Sequence, residues 1–226
     1  MVTVRLYLSS YRLGGHSDVL TGMVRGERRG WVISNALDAV GAELRGDETK
    51  RQITELAELG LDAADFDLRL HRPETIAEAF GEPDFVWVRG GNVFVLRAAL
   101  ARSGADRLIT AALESDALVY GGFSAGACVL APSLEGLELC DPVGDVLSIY
   151  GAVRWDGLAV IDRAVVPHLA SPGHPESAAL ETVARRYDHA DLPYWGLQDG
   201  DVLVCEDERC RLLLSREPAS PPTLPS

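Results

Sequence analysis

The stretch that most constrains the fold is Ala117-Leu118-Val119-Tyr120-Gly121-Gly122-Phe123-Ser124-Ala125-Gly126-Ala127, an apolar run that breaks at a serine among small residues and resumes as a helix-compatible segment. A buried strand, a sharp turn and a helix in that order are what an α/β sheet uses at a strand's carboxyl end. Gly122-Phe123-Ser124-Ala125-Gly126 also fits the Gly-x-Ser-x-Gly nucleophile elbow, in which a strained turn exposes the serine hydroxyl. Its glycines let backbone pass close to the serine without a Cβ clash. A helix beginning at residue 125 aims free N–H groups and its positive dipole end at charge developing beside Ser124. The string is short and built from common residues, so other parts of the chain must supply its partners.

The 226 residues are 47% hydrophobic, enough for a large core, and length alone is compatible with one α/β domain. A formal net charge of −13 argues against nucleic acid or an anionic membrane as partner, because both attract basic surface. The opening residues lack the apolar core and cleavage site of a signal peptide, and no stretch approaches the length of a membrane span. A cytoplasmic location is therefore expected. Cys128, Cys140, Cys205 and Cys210 show no C-x-x-C spacing, so no metal site is indicated. Cys205 and Cys210 can face each other across a hairpin, but a reducing compartment favours free thiols there.

Along the chain, strands are expected at 2–9, 31–34, 66–70, 84–88, 163–168, 193–197, 202–205 and 212–214, in addition to the strand before Ser124. Helices are expected at 18–25, 47–60, 73–80, 93–103, 105–113 and up to about 189, and 132–151 reads as a loop-rich acidic connection. This alternation predicts a three-layer α/β/α sandwich with a mostly parallel central sheet, one domain over 1–217 and a disordered Pro/Ser-rich tail at 218–226.

Ligands in such sheets bind at the carboxyl ends of strands, where Gly91, Ser124, His168 and Asp199 all fall. A serine needs a base within hydrogen-bond reach and an acid behind that base. Among five histidines, His168 ends a strand and is the expected base, with His174 as runner-up, while His71 and His189 lie in solvent-facing stretches. Asp199 is preferred as the acid over Asp162, Asp188 and Asp191, and Gly90-Gly91 offers the second loop from which a backbone N–H can meet an oxyanion. Arg12 and His16 lie in an early site-facing loop and more simply read as exposed residues.

Gly90-Gly91-Asn92, Gly122-Phe123-Ser124-Ala125-Gly126-Ala127, Val166-Pro167-His168 and Gly196-Leu197-Gln198-Asp199-Gly200 together resemble the successive motifs of the peptidase E (aspartyl dipeptidase) family. The resemblance runs from the Leu6-Tyr7-Leu8-Ser9-Ser10 opening to the last strands. It implies a fold like that of class I glutamine amidotransferases, related to the flavodoxin-like sheet, with Ser124 as nucleophile and His168 as base. It also implies an oxyanion hole from the N–H groups of Gly91 and Ala125; Gly90, Asn92 and His174 are expected to contact substrate. Asp199 stands where the family has a glutamate, one methylene longer. Glu176-Ser177-Ala178-Ala179 lacks the arginine with which aspartyl dipeptidases pair their substrate's aspartate, so strict Asp-X specificity is not implied.

The expected activity is serine-dependent hydrolysis of a small peptide or amide through an acyl-enzyme, without metal or organic cofactor, by a monomer or homodimer. An esterase or acyltransferase would use the same residues, and a non-catalytic binding protein would keep the turns without a working triad.

Overall fold

The computed structural model describes residues 4–206 and 209–215. The expected tail at 218–226, the first residues of the opening strand at 2–3 and the hairpin tip at 207–208 lie outside the described residues.

In chain order the elements are β1 (Arg5–Ser9), α1 (Ser17–Met23), β2 (Arg29–Ile33), α2 (Ala42–Glu58), β3 (Asp62–Asp65), α3 (Ile76–Phe80), β4 (Phe85–Val88), α4 (Val93–Ser103) and α5 (Ala105–Glu114). There follow β5 (Val119–Phe123), α6 (Ala125–Cys128), α7 (Val143–Tyr150), β6 (Ala164–Val166), α8 (Ser177–His189), β7 (Tyr194–Gly196), β8 (Val202–Glu206) and β9 (Arg209–Leu213). Seven strands form one sheet in the order β3-β2-β4-β5-β1-β8-β9. Its first five members run parallel, and β8 and β9 add an antiparallel hairpin.

Side chains alternate across this sheet as strand geometry dictates. Leu6, Leu8, Val86, Val88 and Tyr120 point to the face covered by α4 to α8, whereas Tyr7, Phe85, Trp87, Val119 and Phe123 point to the face where α1 and α2 bring Leu20 and Leu56. Both faces are dry, which is why the central strands read as continuous apolar runs. Among the described residues no helix is long and apolar enough to cross a membrane.

The structure departs from the sequence expectations in several places. β6 and β7 form a separate two-stranded parallel sheet, so not all strands join the central one. The strand expected at 66–70 is instead β3, a polar edge strand held by backbone pairing to β2. The apolar alternation that suggested it comes from Phe66 and Leu68, which are buried in the turn that follows. The helix expected from residue 47 begins at Ala42, running through Gly46. The connection at 132–151 contains α7, in which Val143, Val146, Ile149 and Tyr150 pack against the core. Free thiols at Cys205 and Cys210 are also corrected: the β8–β9 register sets the two cysteines directly opposite, Cα atoms 4.1 Å apart, and they form a disulfide.

Candidate active site

β4, β5 and β1 are neighbours, so their carboxyl ends bring Gly90-Gly91, Ser124 and Ser10 together. Ser124 sits at φ 50° and ψ −120°, a conformation that costs a side-chain-bearing residue on the order of 1–3 kcal/mol and persists where surrounding structure enforces it. The enforcement is local. Ser124 N–H donates to the Ser9 carbonyl at 3.3 Å, and the Tyr120 hydroxyl reaches across the turn to the Gly126 carbonyl at 2.7 Å. A Cβ on Gly126 would lie 2.1 Å from the Val88 carbonyl oxygen, so only glycine lets β5 turn this tightly beside β4. The expected helix after the serine is a single turn, α6, which reduces the dipole contribution. Ala125, its first residue, still has an N–H outside the helical ladder.

Gly91 adopts φ 139°, and a Cβ there would meet the Ala36 carbonyl oxygen at 2.7 Å. Its N–H has no protein acceptor among the described residues, while the next N–H, that of Asn92, donates to the same Ala36 carbonyl at 3.0 Å. Gly91 therefore offers a donor at the sheet edge.

His168 and Asp199 follow β6 and β7, and the parallel pairing of those strands sets the two residues side by side. His168 Nδ1 lies 2.6 Å from Asp199 Oδ1. Burial works to raise the Asp199 carboxyl, but the hydrogen bond and charge of His168, and then the Ser10 hydroxyl, hold it below the usual carboxylate range. An ionised carboxylate only accepts, so the proton sits on Nδ1 and Nε2 keeps the lone pair a base requires.

Ser10 binds this pair together: its Oγ donates to Asp199 Oδ1 at 2.9 Å and accepts the His168 N–H at 2.8 Å. The Asp199 N–H donates to Ser171 Oγ at 2.9 Å, which fixes the carboxylate's turn from the other side. His168 is 1% exposed and has φ 57°, a second residue held in the left-handed region. The Ser124 hydroxyl makes no hydrogen bond to either ring among the described residues. Catalytic hydrogen bonds commonly tighten only in the substrate complex.

His174 lies flat on His168, with ring centroids 3.5 Å apart and planes 3° from parallel, and Tyr11 meets both rings edge-on. Its Nδ1 accepts the Glu176 N–H at 3.3 Å. Burial first, and then the His168 charge, push its pKa down to about 4, so it is a neutral lid on the base. His168, His174 and Asp199 bring donor atoms within 4.8 Å of one another. Parallel rings do not converge their in-plane lone pairs on one point, and His168 Nδ1 is already committed to Asp199, so the set is not arranged to chelate.

The remaining candidates separate clearly. Gly90 packs against Ser124. Asn92 caps α4: its Oδ1 accepts the Phe94 and Val95 N–H groups, and its Nδ2 donates to the Pro142 carbonyl and Asp145. Its amide is thus engaged on both ends in capping α4 and tying it to the Pro142–Asp145 segment. His16 bonds the Leu214 carbonyl, His71 stacks on Phe66, and Asp162 pairs with Arg163. Sequence reasoning assigned no part to Ser10, Tyr11 or Ser171. The available signal was Ser9-Ser10 at a strand's carboxyl end, where an open sheet places functional groups.

Comparisons with known proteins identify relatives of the chain. A peptidase of Listeria innocua serovar 6a is 32% identical over 113 residues, 50% of this chain and 52% of that one. The chain thus spans about half the length of the Listeria relatives it matches. Peptidase E of Streptomyces coelicolor is 27% identical over 202 residues, 86% of this chain and 75% of its own. The crystal structure of a Listeria monocytogenes EGD-e protein assigned to peptidase E superposes with a TM-score of 0.77 at 20% identity, covering 94% of this chain and 98% of that one, so the fold is shared. The sequence model of peptidase family S51 matches residues 46–213, which include both turns, the serine, the histidine and the aspartate described above, and the chain belongs to that family.

Proposed function

We propose that the protein is a serine-type peptidase that cleaves a small peptide through an acyl-enzyme, in one catalytic domain over 1–217 and in the cytoplasm. The observation that carries this reading is the 2.6 Å bond from His168 to an ionised Asp199, anchored through Ser10 next to the strained Ser124. Ser124 Oγ attacks the scissile carbonyl as His168 Nε2 takes its proton. Asp199 holds the tautomer and stabilises the imidazolium, and the face of His174 lies against that developing cation. The N–H groups of Gly91 and Ala125 receive the oxyanion. His168 then protonates the leaving amine, and water activated by the same nitrogen releases the acid product.

The test is labelling with a fluorophosphonate probe, followed by assay on a dipeptide library that includes Asp-X members. Labelling of the wild type and loss of it in Ser124→Ala and His168→Ala are expected. A wild type that never labels and cleaves no member overturns the reading. Fractionation of the native host, with thiol titration of the Cys205–Cys210 pair, tests the cytoplasmic placement, because disulfides seldom persist in a reducing compartment.

A further inference from the structure

Beside the elbow, on the sheet face covered by α1 and α2, lies a polar cluster that the catalytic mechanism does not use. Arg12 follows β1, Arg89 directly follows β4, and Glu48, Arg51, Gln52 and Glu55 occupy one face of α2 at helical spacing. Arg89 donates to the Gly90 carbonyl at 2.6 Å and to Glu48 at 2.6 Å, and its guanidinium lies 5.7 Å from the ring of Phe123, the residue before Ser124. Arg51 shares Glu48, and Arg12 stands 3.6 Å from Glu55 and 5.3 Å from the Tyr11 ring. Tyr11 in turn touches both His168 and Phe123 edge-on. The cations are thus within one ring of the nucleophile and the base.

This cluster is short of acceptors. Among the described residues nine buried side-chain polar atoms lack a hydrogen-bond partner, and five of them, Arg12 Nε, Arg51 Nε, Gln52 Nε2, Glu55 Oε2 and Arg89 Nε, are here. Native proteins leave few such atoms, and their concentration here calls for a water or a bound polar group to complete the network. Four of the five are donors, so the missing partner is an acceptor. Three guanidiniums face two carboxylates, and burial raises the Glu55 carboxyl against the pull of Arg12 and Arg51, which weakens one of those two acids as a partner. The side chains of Arg12 and Arg51 are 41% and 40% exposed, so an incoming group meets these two guanidiniums first, while Arg89 is only 15% exposed behind them.

The other face carries acidic side chains, of which Asp141 and Glu176 are raised by burial. Asp141 and Asp145 sit at the start of α4, and Glu176 lies beside His174. A short peptide with free ends has an ammonium at one end and a carboxylate at the other, so a cationic and an acidic flank would orient it.

We propose that Arg12, Arg51 and Arg89 form a subsite that binds the free C-terminal carboxylate of the substrate peptide, restricting the enzyme to very short peptides. The subsite rests on the peptidase reading above and names what that site recognises. Bidentate guanidinium contacts to a carboxylate supply the acceptors that Arg89 and its neighbours lack. A longer chain, with its carboxylate out of reach, forgoes them.

The experiment is protection against fluorophosphonate labelling by Xaa-Leu dipeptides and by the same peptides with a C-terminal amide. Each is measured on wild type, Arg12→Gln, Arg89→Gln and a control, Arg107→Gln, on the exposed side of α5, with every variant's own uninhibited labelling rate as reference. Free-acid peptides are expected to protect at concentrations about tenfold or more below their amides. That ratio is expected to collapse towards one in Arg12→Gln and Arg89→Gln and to persist in Arg107→Gln. Equal protection by acid and amide in the wild type overturns the proposal, as does protection by no peptide. Arginine-dependent protection confined to amides of Asp-Leu or Glu-Leu also overturns it, by assigning the carboxylate to the acyl side chain. A wild type that never labels and cleaves no member of the dipeptide library sinks the peptidase reading itself, which distinguishes the two failures.

Discussion

The two halves of the site are held by different physics. Ser124 and the Gly90-Gly91 turn hang from the central sheet, where close backbone packing leaves no room for a Cβ at Gly126 or Gly91. His168 and Asp199 hang from a two-stranded sheet of three-residue strands, and hydroxyl groups of Ser10 and Ser171 set their geometry. Steric enforcement is rigid and couples the Ser124 turn to global stability. Hydrogen-bonded enforcement is directional, so the His168–Asp199 pair is open to change at modest cost in stability.

This contrast is broken most severely at the nucleophile. Ser124→Ala is expected to lower kcat by about 10⁴-fold or more while urea denaturation shows stability unchanged or slightly improved, because the substitution relieves a hydroxyl and nothing else. Retained turnover would move the chemistry elsewhere.

Gly126→Ala tests the steric half. Its Cβ would lie 2.1 Å from the Val88 carbonyl, a backbone atom on a buried strand that has no room to retreat, so a loss of about 3 kcal/mol or more in urea denaturation is expected. A near-neutral result would mean that the elbow is looser than its contacts indicate.

Ser10→Ala tests the polar half. It deletes a donor to Asp199 and an acceptor for the His168 N–H, and kcat is expected to fall about tenfold to a hundredfold with KM little changed. Ser10→Thr, which keeps the hydroxyl, should recover part of the loss; equal loss in both variants would point to packing instead.

The smallest expected effect sharpens the comparison, because Asp141 is a polar tie on the steric side. Its carboxylate accepts the Val93 N–H at 2.8 Å, yet burial foremost, with Glu176 and Asp145 adding, raises its pKa to about 7. Between an unfolded value of about 3.9 and that folded value, the native state holds a proton the unfolded chain has released. Its contribution to stability is therefore lost as pH rises through this window, by at most about 1.4 kcal/mol per pH unit. His174, pushed down to about 4, acts in the opposite direction between its folded value and about 6.5, so the diagnostic quantity is the difference between Asp141→Asn and wild type. Urea midpoints from pH 4.5 to 7 should show the variant gaining on wild type as pH rises; parallel curves would contradict it.

Much of this was legible residue by residue. Val119 to Phe123, Phe85 to Val88 and the helix Val93–Ser103 are dictated by local pattern, since strands buried on both faces leave continuous apolar runs. The turns with Gly91 and Ser124, and His168 and Asp199 after short strands, were visible for the same reason. Other features were hidden because their cause is not local. α7 owes its form to packing on α4, and acidic residues and Gly144 mask its apolar face. β3 is polar and exists because β2 offers it an edge.

The sequence by itself determined the strand-turn-helix order, the doubly covered sheet and the residue types that a serine hydrolase needs, because these follow from periodicity and turn chemistry within a few residues. Only the tertiary structure decided that His168 and Asp199 stand on a sheet of their own, that Ser10 ties them together from 158 and 189 residues away, and that Asn92 spends its amide on a helix cap. It also decided that Cys205 meets Cys210, and that cations collect on one face of the nucleophile and carboxylates on the other. Register, sheet order and the meeting of distant hydroxyls are properties of chain closure, and a charge takes its meaning from the partners that closure brings within reach.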